Sequence, residues 1–151
     1  MNFVIRQAKA SDAVVISRLV TGLAHYFIPD PSSPEVGPFL AGLTPPSYAE
    51  RLGSSNFTHY VAEDSSGPCG IIALRDGSHL YHLFVRADAH GQGIARALWE
   101  HAKALSGHSA FTVTSSLFAV PVYERLGFLA KSPPQTAQSL VFVPMAYAHD
   151  S

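Results

Sequence analysis

A glycine-bearing turn, two neighbouring histidines and a tyrosine carry the chemistry open to this chain. The segment Leu83-Phe84-Val85-Arg86-Ala87-Asp88-Ala89-His90-Gly91-Gln92-Gly93-Ile94-Ala95-Arg96 reads as a strand, a turn and the opening of a helix. The first amide groups of a helix have no internal acceptors, and the helix dipole places partial positive charge there. Glycines let backbone approach an anion closely, so the turn can cradle a pyrophosphate; a tight turn with no ligand is the competing reading. Upstream, His79-Leu80-Tyr81-His82-Leu83-Phe84-Val85 alternates. In a regular strand His79 and Tyr81 share a face with Leu83 and Val85, and His82 points the other way. A histidine pair split between two faces argues against a shared metal, and no metal site is expected. Cys69 is the one cysteine; it permits no intramolecular disulfide, makes no structural zinc site alone, and reads as a buried structural thiol.

Those residues need a framework, and the rest of the text supplies one. With 151 residues the length prior of roughly 100–200 residues per domain gives one domain over 1–151. Apolar residues are 47% and charged residues 14%, too apolar for a disordered chain. A net charge of -1 leaves no basic field for a nucleic acid backbone. The longest apolar run, Leu140 to Ala148, is broken by Pro144 and falls well short of the roughly 18 residues of a membrane span. The opening Met1-Asn2-Phe3-Val4-Ile5-Arg6 lacks a secretory layout. A cytoplasmic domain, without nucleic acid or membrane partners, is expected; a homodimer is allowed.

The spacing predicts a strand over Phe3 to Ala8. A helix follows, capped by Ser11 or Asp12, with Ile16, Leu19, Val20, Leu23 and Phe27 on its apolar face. Six of the eleven prolines fall between Pro29 and Pro46, predicting loops around short helical pieces at Pro38 to Leu43 and Tyr48 to Leu52. Phe39, Leu40 and Leu43 would anchor this region over the surface, where binding residues often lie. Asn56 to Glu63, Cys69 to Arg75 and His79 to Val85 are strands separated by turn sequences, hence an antiparallel meander. Gly93 to Leu105 is a helix with Ile94, Leu98, Ala102 and Leu105 on one face. Phe111 to Thr114 is a strand, and Ala119 to Leu126 a helix that starts late because Pro121 fits only its first turn. Leu140 to Tyr147 is the final strand. The class is mixed α/β.

His90-Gly91-Gln92-Gly93-Ile94-Ala95 resembles the acetyl-CoA turn of the GNAT superfamily of acyl-CoA-dependent N-acyltransferases, Gln/Arg-x-x-Gly-x-Gly/Ala. Gly93 and Ala95 match, and His90 replaces the glutamine or arginine. Ser116-Leu117-Phe118-Ala119-Val120-Pro121-Val122-Tyr123-Glu124-Arg125-Leu126-Gly127-Phe128 is similar to that family's second signature, Asn-x-x-Ala-x-x-Phe-Tyr-x-x-x-Gly-Phe. Ala119, Tyr123, Gly127 and Phe128 match; Ser116 stands for the asparagine and Val122 for the aromatic. The likeness covers nearly the whole chain and is weakest from about residue 29 to 55. It implies a central twisted, mostly antiparallel sheet with helices on both faces and splayed strands at the acetyl-CoA site. It further implies that Leu83, Phe84 and Val85 bind the pantetheine arm and that His90, Gly91, Gln92, Gly93, Ile94, Ala95 and Arg96 hold the pyrophosphate. Ser116 and Tyr123 would border the same cosubstrate.

The activity implied is acetyl transfer from acetyl-CoA to a primary amine on a small molecule. Such transfer moves two protons: the ammonium loses one before attack, and the departing thiolate gains one. Tyrosine, with an ordinary pKa near 10, suits the second task, and Tyr123 sits at the family's recurrent tyrosine. Histidine suits the first. The strand resembles that of the arylalkylamine acetyltransferases, which carry histidines at both offsets, so His79 is the expected base. A bulge before the glycine turn would swap the faces and promote His82. Asp30 and Glu35 fall where the acceptor site would be bordered and read as solvated loop carboxylates. A catalytically silent acyl-CoA-binding module, an enzyme acting on a protein amine, and an interaction protein using the fold as a scaffold are the alternatives.

Overall fold

The computed structural model describes residues 3–24, 37–137 and 140–148. Phe27, Asp30 and Glu35 lie outside the described residues. The backbone forms an open sheet built from β1 (Val4–Gln7), β2 (Phe57–Asp64), β3 (Gly67–Arg75), β4 (His79–Val85), β5 (Ala110–Ser116), β6 (Leu129–Ala130), β7 (Gln135–Ala137) and β8 (Leu140–Ala148). The spatial order is β1-β2-β3-β4-β5-β8-β6, with β7 also paired to β8. The expected meander of β2, β3 and β4 is antiparallel throughout. The short strands β6 and β7 were not expected. They carry too few residues to show a period, and both are exposed, so only their pairing with β8 defines them.

One pairing differs from the rest. β4 and β5 run parallel, and their register covers only His79↔Thr112 and Leu80↔Val113. β4 continues against β3 as far as Gly70↔Val85, and β5 continues against β8 as far as Ser116↔Phe142. Each strand is therefore anchored on its outer side while the inner sides separate. The sheet opens into a V.

Helices α1 (Ala13–Thr21), α2 (Gly37–Ala41), α3 (Pro45–Leu52), α4 (Ile94–Ser106) and α5 (Val120–Leu126) join the strands. Ile16, Val20, Leu43 and Tyr48 bury one face of the sheet with Val61 and Ile71. Ile94, Leu98, Trp99 and Ala102 from α4 and Tyr123 and Leu126 from α5 bury the other with Ile72, Leu80, Phe111 and Val113. Trp99 completes the buried stripe of α4, whereas Leu105, expected on it, is 61% exposed. At 100° per residue Trp99 widens the stripe beyond Ala102, whereas Leu105 shares the angle of Ile94 and Leu98 but sits one residue from the helix end at Ser106. α3 begins at Pro45, earlier than expected, because Thr44 accepts the N–H of Ser47 and its prolines occupy positions that need no donor. Pro121 sits in the first turn of α5 as anticipated.

Trp99 is the keystone of the larger core: its ring meets Phe111 at 4.9 Å, Phe128 at 5.1 Å and Tyr147 at 5.3 Å. Its Nε1 is buried without a hydrogen-bond partner among the described residues, and an orphaned donor of this kind costs about 1–3 kcal/mol. Trp99→Ala should therefore lose about 3–5 kcal/mol in urea unfolding followed by circular dichroism. Trp99→Phe should lose far less, because removal of the orphaned N–H offsets much of the lost ring area.

Candidate functional site

The V between β4 and β5 widens into a cavity of about 1000 Å³, lined along its length by β4, the glycine turn and the start of α5. At the turn, Gly91 has φ 81° and Gly93 φ 78°, both in the left-handed region that favours glycine. A Cβ at either position would meet nothing within 4 Å, so the requirement is conformational and the space outside is open. The first intrahelical bond of α4 is Ala97 N–H to Gly93 O. Gly93 is the N-cap and offers no side chain. Ile94, Ala95 and Arg96 precede that first bond and line the cavity, and the amides of a helix's first turn are the groups an anion needs.

Of the residues expected at the cosubstrate, Leu83, Phe84, Val85, His90, Gly91, Gly93, Ile94, Ala95, Arg96, Ser116 and Tyr123 all line the cavity. Gln92 belongs to the turn and is exposed but is not among the lining residues. His90 Nε2 donates to Val85 O at 2.7 Å, tying the turn back to the end of β4. The Arg96 guanidinium donates to Arg125 O at the end of α5, bridging the two walls. Ser116 Oγ accepts the Ala119 N–H at 3.2 Å and so shapes the entry to α5.

The edge of β4 is also legible. Arg86 N–H donates to Cys69 O at 2.8 Å, which sets the alternation with β3. Phe84 and His82 pair inward, and the peptide groups of Leu83 and Val85 point into the gap. With Val85 O taken by His90 and the β4–β5 ladder ending at Leu80, the N–H and C=O of Leu83 and the N–H of Val85 have no strand partner among the described residues. Cys69 is buried and its thiol donates to Ala62 O. Burial pushes that thiol up in pKa, as fits a structural cysteine.

The histidines of β4 do not take the faces that a regular strand predicts. The β3–β4 register runs Ala73↔His82 and then Leu74↔Leu80, so Tyr81 is an extra residue, a bulge. Leu80 lies in the core beneath α4 and Leu83 and Val85 pack against that core. His79, Tyr81, His82 and Phe84 consequently look toward the opposite face. His82 is brought to the side where His79 stands, instead of facing away from it. A single inserted residue reverses a period of two.

The two histidines differ in environment. His79 is half-buried, and its Nδ1 lies 2.8 Å from Thr112 Oγ1. Burial lowers its pKa, helped by the nearby Arg75. His82 Nδ1 lies 2.9 Å from the Tyr48 hydroxyl. Burial pushes His82 well below the ordinary histidine range, with Arg51 and His59 adding to the effect. Burial likewise raises the Tyr48 hydroxyl, so this contact joins two neutral groups. Tyr123 is buried on α5 and packs edge-on to Phe128 at 5.6 Å. Burial raises its pKa, which keeps its hydroxyl protonated at neutral pH. Tyr48, Arg75 and Thr112 were not singled out by sequence reasoning. No local pattern links them to β4: Tyr48 and His82 are 34 positions apart.

Residues 27–149 match the model of an acetyltransferase (GNAT) domain. The chain belongs to the GNAT acetyltransferase family. Its fold is similar to that of PaiA N-acetyltransferase from Thermoplasma acidophilum, solved in complex with coenzyme A (TM-score 0.82, 15% identity, 99% of this chain and 100% of that one). It is also similar to a GCN5-related N-acetyltransferase from Rhodopseudomonas palustris (TM-score 0.79, 21% identity, 98% and 96% covered). A third likeness is to a spermidine N-acetyltransferase SpeG chimera from Vibrio cholerae and hSSAT (TM-score 0.66, 14% identity, 98% and 96% covered). Among curated proteins none matches. These likenesses establish the GNAT fold, including the open sheet.

One pH dependence follows from the histidine cluster of this GNAT domain. His59 is 3% exposed, and burial, with Arg51 second, lowers its pKa to about 4. The unfolded chain binds a proton near pH 6.5 that the folded chain refuses, so stability is full above that pH and falls as pH drops toward 4. The loss attributable to His59 is on the order of 3 kcal/mol by pH 4. Urea unfolding at pH 7 and pH 4.5 should show a smaller difference for His59→Phe than for the parent protein.

Proposed function

We propose that this chain is an acetyl-CoA-dependent N-acetyltransferase that moves acetyl to a primary amine on a small molecule by direct attack. The observation that carries the reading is one cavity that unites an anion cradle, an open strand edge, two histidines and a protonated tyrosine. The amides of Ile94, Ala95 and Arg96 suit a pyrophosphate, and the free peptide groups of Leu83 and Val85 suit the amides of a pantetheine arm. The CoA held by the PaiA protein supports the same use of this fold.

In this scheme the amine gives its proton to a histidine, and its lone pair attacks the thioester carbonyl. The carbon–sulfur bond then breaks, and the leaving sulfur takes the proton of the Tyr123 hydroxyl. A base works best when its pKa lies near the working pH. His79, lowered less severely than His82, therefore serves as the base. His82, held by Tyr48, stays neutral beside it. Two protonation states are thus supplied by two environments on one cavity wall.

The cradle is tested by binding. Acetyl-CoA at about a hundredfold excess over Kd should raise the Tm by roughly 5–10 °C. Gly93→Asp should abolish that rise, because it brings a negative charge to the opening while meeting no steric obstacle. Circular dichroism would confirm that the variant is folded; an undiminished rise in a folded variant removes the assignment.

The proton transfers are tested by kinetics. Tyr123→Phe should lower kcat by roughly 10²-fold or more and leave acetyl-CoA binding nearly unchanged, since the hydroxyl matters as charge builds on sulfur. The rise of turnover with pH should follow an ionisation at or below the ordinary histidine range. That limb should disappear in His79→Ala, persist in His82→Ala, and stay in place between two acceptors whose amines differ in pKa.

A further inference from the structure

The end of the cavity away from the glycine turn has a one-sided charge layout. Arg75 closes β3 and lines the cavity beside His79 and Tyr81. Its guanidinium lies 5.7 Å from the centroid of the Tyr81 ring, and that of Arg51 lies 5.4 Å from the same ring. Neither arginine forms an ion pair among the described residues. Arg51 is occupied by Gly42 O and the Tyr48 ring, and its Nε is buried with no partner. Arg75 is exposed and has no comparable restraint. Among the described residues that line the cavity, none is an aspartate or glutamate.

Two guanidinium groups stand against the one ring, and their positive field meets no carboxylate among the described cavity-lining residues. The same field is felt by the titrating neighbours: Arg75 lowers His79, and Arg51 lowers His59 and His82, each second to burial. Cosubstrate phosphates do not answer this charge. They belong at the glycine turn, and His79 is six residues from Val85 along β4, roughly 20 Å at a strand's rise. The other reactant can bring an anion to this end, where Arg75 is exposed on the cavity rim.

We propose that the acceptor is an amine that itself carries a carboxylate, a small molecule of the amino acid type whose anion pairs with Arg75. This rests on the acetyltransferase reading above and specifies its substrate class. Arg75 presents the fork that matches a carboxylate in two hydrogen bonds. With that anion fixed at the rim, the amine points inward along β4 toward His79 and the thioester. The positive field also favours the neutral amine over the ammonium, which is the form that attacks. A polyamine brings two or more ammonium groups to the rim held by Arg75 and meets no carboxylate among the described lining residues.

The test compares each amino acid with its own decarboxylated amine: phenylalanine with phenethylamine, tyrosine with tyramine, tryptophan with tryptamine, lysine with cadaverine, and spermidine beside them. Thiol release from acetyl-CoA gives kcat/KM. The carboxylated member of at least one pair should be favoured by about 10- to 100-fold, and Arg75→Gln should erase that preference through KM while kcat changes little. A preference for the decarboxylated amines or spermidine overturns the proposal, as does a preference that survives in Arg75→Gln. If acetyl-CoA raises the Tm but no member of any pair is acetylated, the acceptor class is wrong and the cradle stands. If acetyl-CoA fails to raise the Tm, the underlying reading fails and this inference falls with it.

Discussion

Two strands that hydrogen-bond for two residue pairs and then part determine most of what this molecule can do. A parallel pair normally continues until one strand ends, because unpaired peptide groups inside a protein are costly. Here β4 is held along its length by β3 and β5 along its length by β8, so the outer ladders keep each strand straight while the inner one stops. The α4 helix packs under the meander, and α5 contributes Tyr123 and Leu126 to the same core. The gap is thus walled by fixed elements. Peptide groups left open along its edge are a standing demand for a polar, strand-like partner, and acetyl-CoA supplies one in the reaction proposed for this chain.

The bulge at Tyr81 is the second constraint, and it acts on chemistry. It lies one residue past the last β4–β5 pair, where the V begins. Because of it, the apolar Leu83 and Val85 remain on the core beneath α4, while His79, Tyr81 and His82 gather on the opposite face. A regular strand would have buried one histidine under α4 or exposed an apolar residue at the cavity. The extra residue resolves that conflict and concentrates polar groups near the point where the sheet opens.

Burial then differentiates groups of the same type. His59, His82 and Tyr48 sit in a low-dielectric pocket beside Arg51, and each keeps its neutral form because ionisation there is disfavoured. His79, only half-buried, remains the more readily titrated. Tyr123 on the facing wall stays protonated for the same physical reason. One cavity therefore holds proton donors and acceptors in separate states at neutral pH, with positive charge at both ends: Arg96 and Arg125 near the turn and Arg75 at the far rim.

The sequence by itself determined the longer strands, the two helices of the larger core and the glycine turn. The histidine-bearing strand has the bounds read from its residues, the meander follows from its turn sequences, and the glycine turn is legible because left-handed φ values at a helix start demand glycine locally. One wall of the cavity was readable for the same reason, since it lies within one continuous strand, turn and helix. Tertiary structure alone decided which face each histidine takes, because a bulge depends on how β3 and β4 pair and leaves no trace in β4's own alternation. It also decided that Trp99 and not Leu105 fills the core, and that Tyr48 reaches His82. It set Arg75 at the rim without a carboxylate partner among the described residues. These are contacts between distant positions, and their energies depend on burial and on neighbouring charge, quantities that exist only once the chain has folded.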